Sequence, residues 1–75
     1  MIQMEHINRM EEELRELEEK ISKLKDFLEK EISEPTTTNE IQRIKLVVQL
    51  EYMLNYSSIL KERIEYDKSL PKFLG

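Results

Sequence analysis

The strongest constraint on the fold of this chain is a heptad repeat of apolar residues in its first half. The apolar positions advance in alternating steps of three and four residues: Ile7, Met10, Leu14, Leu17, Ile21, Leu24 and Leu28. This spacing is typical of a helix with a single apolar stripe, as in coiled coils. Most positions between them are Glu, Lys or Arg, which are expected to face water. The pattern predicts a first helix at about residues 3–33.

The segment after this helix carries signals for a turn and for the start of a second helix. Pro35 disfavours helical geometry in the residue before it. Thr37 followed by Glu40 is the pattern of a capping box, and the residues up to Asn39 offer alternative caps. Near the other end of the chain, Pro71 is expected to end the second helix. A turn this short makes the two helices antiparallel neighbours.

These signals predict a single all-α domain over residues 1–75, which is half of the roughly 150-residue prior for a domain. We expect an antiparallel two-helix hairpin, similar to a coiled coil, that assembles into a helical bundle as a homo-oligomer. The predicted elements are helix 1 at about 3–33, a turn at 34–38, helix 2 at about 38–68 and a short C-terminal tail at 69–75.

The second helix differs from the first because it carries two apolar stripes. One stripe contains Leu46, Leu50, Met53, Ser57, Leu60 and Ile64. The other contains Ile41, Ile44, Val48, Tyr52, Asn55 and Ile59. At 100° per residue the two stripes lie roughly 140° apart, so a helix with this pattern must be buried on two sides.

Helix 1 can cover only one of these stripes, because it offers a single stripe itself. The chain has no cysteine, and small domains without disulfides or metals usually need oligomerisation to complete a core. We therefore predict self-association, most simply a two-fold dimer that forms a four-helix bundle around helix 2. The alternative is a monomer whose second stripe binds a different protein. The predicted core and oligomer seam contains Leu46, Val48, Leu50, Met53, Ile59, Leu60 and Ile64.

Residue types that support catalysis or metal binding are scarce. The chain contains no cysteine, a single glycine and a single histidine, His6. A zinc site built on cysteines and a glycine-rich phosphate loop are therefore excluded, and a lone histidine is more often a surface residue than a ligand. We expect no catalytic residue, no metal and no cofactor, and we predict that the protein is not an enzyme.

The net charge of −4 is unevenly distributed along the chain. Residues 1–40 carry six Lys or Arg against twelve Asp or Glu, whereas residues 41–75 carry six against four. An acidic chain is a poor general ligand for nucleic acid, so direct DNA binding is not expected. The longest uncharged run, at 52–60, is far shorter than the roughly 20 residues that cross a bilayer. With no secretion signal at the start of the sequence, we expect a soluble cytoplasmic protein.

A set of polar and aromatic residues on helix 2 is suited to binding a small nucleotide. Its members fall within an arc of roughly 100°. The candidate ligand residues among them are Lys45, Gln49, Tyr52, Tyr56 and Arg63, and Tyr66 lies on the same arc. Tyrosine offers a face on which a base can stack, and Lys and Arg offer charges for phosphate, with Lys61 as a further cation. The alternative is that the tyrosines pack in the oligomer seam while Lys45 and Arg63 pair with acids.

Helix 1 carries a run of glutamates that offers a second kind of binding surface. Glu12, Glu16 and Glu19 are its candidate partner-binding residues, because acids spread along a rigid helix can imitate a phosphate backbone or meet a basic surface. The alternative is a solvated face, which is common in helices rich in i,i+4 charge pairs.

Two stretches of the sequence resemble a known group of proteins. The run from Leu14 to Leu28 and the pattern Gln-Leu-x-x-Met-x-x-Tyr-x-x-Ile-Leu-x-x-Arg-Ile at 49–64 resemble a family of short phage proteins related to a small crAss-like-phage protein. The resemblance covers about residues 10–65, and the three threonines of the turn depart from the Glu/Gln-rich connection of that family. It implies a phage or prophage origin and an accessory role. Small helical phage proteins of similar build include sponges for defence-signalling nucleotides and inhibitors of defence nucleases.

Three hypotheses for function follow. The leading one is a non-enzymatic phage accessory protein that counters host defence in the host cytoplasm by sequestering a small signalling nucleotide. The alternative is a protein-interaction module or inhibitor that binds a host or phage protein through its acidic helix or its exposed apolar seam. The third is a purely structural dimer.

Overall fold

The computed structural model describes residues 2–69, with side chains described from Glu5 onward. Two α-helices, α1 (Ile2–Ser33) and α2 (Glu40–Ser69), pack against each other. The expected all-helical hairpin is confirmed, and it forms a rod of 55 × 15 × 13 Å. Ser69 is the last residue of α2, and the rest of the predicted tail lies outside the described residues.

The turn between the helices is held by Glu31, which continues the heptad stripe of α1 with a carboxylate. Its side chain is buried and accepts hydrogen bonds from the Thr36 amide at 2.7 Å, from the Thr37 amide at 3.0 Å and from both threonine hydroxyls. Hydrogen bonds to a carboxylate favour its ionised form. They lower the pKa of Glu31 from 4.5 to about 2, with the Thr37 hydroxyl as the largest cause. The turn is therefore a hydrogen-bonded element in its own right.

The second helix begins at Glu40, two residues later than predicted. Asn39 and Gln42 form a reciprocal capping box, in which the backbone N–H of each residue donates to the side chain of the other at 2.8 Å. The predicted box of Thr37 and Glu40 is wrong, because the amide and the hydroxyl of Thr37 both donate to Glu31. Asn39, one of the alternative caps, takes the role instead.

The best-buried part of the hairpin lies at its open end, away from the turn. Ile7 and Met10 of α1 pack there against Leu60 and Ile64 of α2, and Leu60 is 0% exposed. Two ion pairs between the helices flank this cluster, Lys68 with Glu11 at 2.9 Å and Lys61 with Glu18 at 3.5 Å, and the His6 Nε2 atom lies 3.3 Å from a carboxylate oxygen of Asp67. The heptad stripe of α1 therefore meets the first stripe of α2, as its spacing predicts.

The second stripe of α2 has no cover within the hairpin. Val48 is 42% exposed, Ile59 is 55% exposed and Tyr52 is 70% exposed, whereas Leu46, Leu50 and Met53 of the first stripe are half-buried. The accessible surface of the chain is 6266 Å², and a compact globular chain of 9.1 kDa exposes only about 4,900 Å². A hairpin of this shape therefore leaves apolar surface available for a further contact.

Candidate ligand-binding groove

Four of the five predicted ligand residues lie together along a shallow groove on α2. Lys45, Gln49, Tyr52 and Tyr56 line it with two apolar side chains, Val48 and Met53. Its volume is about 500 Å³, which lies within the roughly 300–1,000 Å³ of small-molecule sites. Since successive members are three or four residues apart, they share one side of the helix. The groove is open to solvent along its length, so α2 alone forms only one wall.

The two tyrosines of the groove differ in how they are held. The hydroxyl of Tyr56 donates a hydrogen bond to the Glu13 carboxylate of α1, which fixes the ring at the edge of the groove nearest α1. Tyr52 lies one turn earlier and is largely exposed. A ring in this position presents its face to solvent, where a base can stack on it. Tyr56 is thus held in place at the edge of the groove, whereas the ring of Tyr52 is exposed and available for stacking.

The electrostatics of the groove are simple, because Lys45 is the one charged side chain in its lining. None of the ion pairs within residues 5–69 involves Lys45, so its ammonium is available to an anion. Gln49 adds an amide that both donates and accepts hydrogen bonds. The lining therefore combines a positive charge, an amide and aromatic faces around an apolar centre.

Comparison with known proteins gives one family. A match to the Sequestin family covers residues 4–66, which includes both helices except their outermost ends and every residue that lines the groove. The chain belongs to the Sequestin family. The family name agrees with a sequestering, binding role and not with catalysis. No curated protein and no solved structure gives a significant match.

Arg63, the fifth predicted ligand residue, also falls within the Sequestin match, but it lies apart from the groove. It borders a separate hollow of about 410 Å³ near the open end of the hairpin, with Ile59, Tyr66, His6 and Asp67 among its neighbours. The expectation that one chain brings Arg63 to the same ligand as Lys45 is therefore not met. The reason is distance along the axis, since 18 residues of helix span about 27 Å.

Lys61, the further cation considered for phosphate, also lies outside the groove. It pairs with Glu18 at 3.5 Å on the other side of the seam between the helices. That side is lined by alternating charges from both helices, and Lys68 with Glu11 is the neighbouring pair. Lys61 is therefore a structural partner of α1 and does not border the groove.

The acidic face of α1 is partly neutralised by its own arginine. Arg15 lies 3.8 Å from Glu12 and 3.8 Å from Glu19, and all three side chains are more than half exposed. Glu16 is exposed as well. A surface whose acids already pair with an arginine is a weaker imitation of a phosphate backbone than the sequence alone indicates, and it matches the solvated-face alternative.

Sequence reasoning missed two residues that shape this region, Glu13 and Glu31. Glu13 fixes Tyr56 across the helix seam, and Glu31 fixes the turn. Glu31 could have been found, because it falls on the heptad stripe of α1 seven residues after Leu24. Within residues 5–69 no three His, Cys, Asp or Glu side chains come close enough to hold a metal ion. Neither helix, over its described residues, is long and apolar enough to span a bilayer.

Proposed function

We propose that this chain is a non-enzymatic phage accessory protein that sequesters a small signalling nucleotide and thereby counters host defence. The observation that carries this proposal is the groove, in which four predicted ligand residues lie together. The Sequestin family name and the resemblance to short phage proteins support a sequestering role of this kind. The host cytoplasm, where such signals act, is its proposed location, and a homo-oligomer is its proposed working form.

The lining supplies the chemistry that a nucleotide requires. The exposed ring of Tyr52 stacks the base, since aromatic stacking contributes roughly 1–3 kcal/mol per base. The amide of Gln49 meets a polar edge of the base, and the ammonium of Lys45 binds phosphate as a point charge. Val48 and Met53 between them exclude water beneath the ligand.

The proposal assigns every polar group of the lining to binding. Lys45 binds phosphate, Gln49 meets the edge of the base and the tyrosines offer faces for stacking. Sequestration needs only a dissociation constant below the working concentration of the signal and a protein present in excess over that signal. A groove with one cation and aromatic faces meets that requirement.

Thermal unfolding with added nucleotides tests this proposal directly. Ligand that binds only the folded state raises its stability by mass action, so a cyclic dinucleotide or ADP-ribose at 100 times its Kd should add about 2.7 kcal/mol. Inorganic phosphate and adenosine serve as fragment controls, since each offers only half of the expected contacts. A wild-type protein that gains no stability from any of these nucleotides at millimolar concentration would refute nucleotide sequestration.

Matched aromatic variants localise the site. Tyr52→Leu removes the exposed stacking platform, whereas Phe27→Leu removes an exposed aromatic ring of α1 that does not line the groove. We expect nucleotide affinity to fall at least fivefold in the first variant and to stay within twofold in the second, as roughly 1 kcal/mol of stacking implies. Equal losses in calorimetric titration would place the ligand outside the groove.

A further inference from the structure

The exposed side of α2 carries a second heptad stripe that is longer than the sequence reasoning recognised. From Ile41 to Tyr66 its positions alternate in steps of four and three residues without a break, and all of them are exposed. We call these residues the outer face: Ile41, Lys45, Val48, Tyr52, Asn55, Ile59, Glu62 and Tyr66. An unbroken repeat of this length is the pattern by which one helix packs against another. α1 occupies the opposite side of α2, and neither helix of the described residues 2–69 covers the outer face, so a helix of another chain can pack there.

We propose that a second copy of this chain packs antiparallel on the outer face of α2, in the register that sets Lys45 against the partner's Glu62. Charge decides the direction. In a parallel pair each Lys45 lies at the level of the other Lys45, and the same holds for Glu62, so like charges meet. An antiparallel pair brings opposite charges together, and none of the ion pairs within residues 5–69 uses either residue.

The register that pairs these charges also matches every other layer of the outer face. Val48 then lies opposite the partner's Ile59, which buries two apolar side chains that are exposed in the hairpin. Tyr52 lies opposite the partner's Asn55, a side chain that can hydrogen-bond its hydroxyl. Sliding the partner by one heptad in either direction loses the charge pair and sets Lys45 against Asn55 or Tyr52 against Glu62. One register therefore satisfies all the layers.

The surface available fits a pair of this kind. The whole chain exposes about a quarter more area than a compact protein of its mass, so a contact of the roughly 800 Å² per partner that stable interfaces bury brings its exposed area closer to the ordinary value. The outer face has Tyr52 and Asn55 at its centre, apolar Val48 and Ile59 on either side of them, and the charged Lys45 and Glu62 beyond.

The second copy adds a wall to the groove, whose role as a ligand cleft rests on the proposed function. Because the Lys45 ammonium has three hydrogen-bond donors, it can contact the partner's Glu62 and a phosphate together. The partner's Arg63 directly follows the partner's Glu62, which faces Lys45. An arginine therefore reaches the Lys45 end of the groove from the other subunit. In this way the assembly reunites Arg63 with the four residues from which it is separated within one chain. The partner's helix also adds the second wall that the open groove lacks.

A charge swap tests direction and register together. Lys45→Glu and Glu62→Lys should each weaken dimerisation by about tenfold, because each variant places like charges in two symmetric layers. The double variant restores opposite charges and should return the dissociation constant to within about threefold of wild type. Rescue within one chain is impossible, since the two residues lie about 25 Å apart on one helix. The measurement is sedimentation equilibrium, with circular dichroism to show that each variant is folded.

Cysteine cross-linking gives an independent readout, because the chain has no cysteine of its own. Val48→Cys combined with Ile59→Cys should form a disulfide-linked dimer under mild oxidation. Each single variant should not, since its two cysteines lie about 16 Å apart along the pair, beyond the roughly 7 Å between Cα atoms that a disulfide spans. A monomer at several hundred micromolar, a double swap that stays dissociated, or cross-linking of the single variants would overturn the inference.

The dimer and the proposed function fail in different ways. A dimer that shows swap rescue and gains no stability from nucleotides keeps the inference and refutes sequestration. Nucleotide binding to a chain that remains monomeric at all concentrations keeps sequestration and refutes the inference.

Discussion

α1 and α2 have similar lengths, 32 and 30 residues, but they expose different side chains to water. Over the described residues of α1, the large apolar side chains that remain exposed are Phe27 and Ile32. On α2 there are nine of them: Ile41, Ile44, Val47, Val48, Tyr52, Leu54, Tyr56, Ile59 and Tyr66. The stripe that faces α1 holds the hairpin together, so the additional apolar surface of α2 is available for a further contact.

The comparison shows that the side of α2 that stabilises the hairpin differs from the side that we propose to bind a ligand. The side of α2 that faces α1 contains Leu60 and Ile64, which are buried. The side that faces water contains the groove and the outer face. Substitutions on the two sides should therefore affect different measurements, even where the residues are neighbours in sequence.

Neighbouring leucine and isoleucine residues provide the largest expected contrast. Leu60→Ala should lower the free energy of unfolding by about 2–5 kcal/mol, because it leaves a cavity at a site that is 0% exposed. Ile59→Ala should change it by less than about 1 kcal/mol at low micromolar protein, where an exposed side chain contributes little. Urea unfolding followed by circular dichroism measures both values. Equal losses of unfolding free energy would contradict the assignment of Leu60 to the buried side and Ile59 to the exposed side of α2.

Arginines on the two helices provide the next contrast. In the proposed dimer, where the partner's Arg63 reaches the groove, Arg63→Lys should weaken nucleotide binding by roughly 1–3 kcal/mol, since lysine lacks the planar fork that binds phosphate in a bidentate manner. Arg15→Lys on α1 should leave the affinity unchanged, because Arg15 contacts only glutamates of its own helix. Calorimetric titration of both variants gives the answer. A loss in the α1 variant, or none in the α2 variant, would place the phosphate away from Arg63.

The turn should make stability depend on pH. The folded-state pKa of Glu31 lies near 2, below its ordinary value of 4.5, so its hydrogen bonds stabilise the fold above about pH 4.5 and are lost as pH falls toward 2. Glu31→Gln should therefore lower Tm most clearly at pH 6–7, and the gap from wild type should narrow between pH 4.5 and pH 2. Thermal scans across this range measure the gap, and a gap independent of pH would contradict the assignment.

The smallest effect is expected on the acidic face of α1. Replacing Glu12, Glu16 and Glu19 by Gln removes exposed pairs with Arg15, and the unfolding free energy should change by less than about 1 kcal/mol in total. Loss of binding to a basic partner without loss of stability would revive the protein-interaction alternative. A triple variant that fails to fold would show that α1 depends on its charged surface as well as on its stripe.

The heptad spacing from Ile7 to Leu28 was enough to predict α1 and its buried side, because steps of three and four residues leave a helix only one apolar face. The two stripes of α2 likewise predicted that one side would lack cover. Spacing says nothing about how far α2 slides along α1, however, so the hydrogen bond between Tyr56 and Glu13 could not be foreseen. Heptad spacing also shows which side of a helix a residue occupies without showing which residues are close along the axis. Arg63 therefore shares a side with Lys45 but lies about 27 Å from it along the helix.

The predicted capping residue of α2 was wrong for a different reason. Thr37 has a suitable side chain and a suitable neighbour in Glu40, so local rules favour it. Its donors are instead taken by Glu31, six residues earlier in the chain, once α1 brings that carboxylate to the turn. Local patterns of this kind list the groups that can compete for a hydrogen bond, and the packed structure selects among them.

The placement of the buried residues along the rod has a mechanical consequence. The hairpin is clamped at both ends, by the hydrogen-bonded turn at Glu31 and by the cluster around Leu60, while Leu46, Leu50 and Met53 between them are only half-buried. On α1, Ile21 and Leu28 are buried, so the partial burial is a property of α2 and not of the whole seam. We expect α2 to bend at its middle more readily than α1, which concentrates the compliance of the protein beneath the proposed ligand groove.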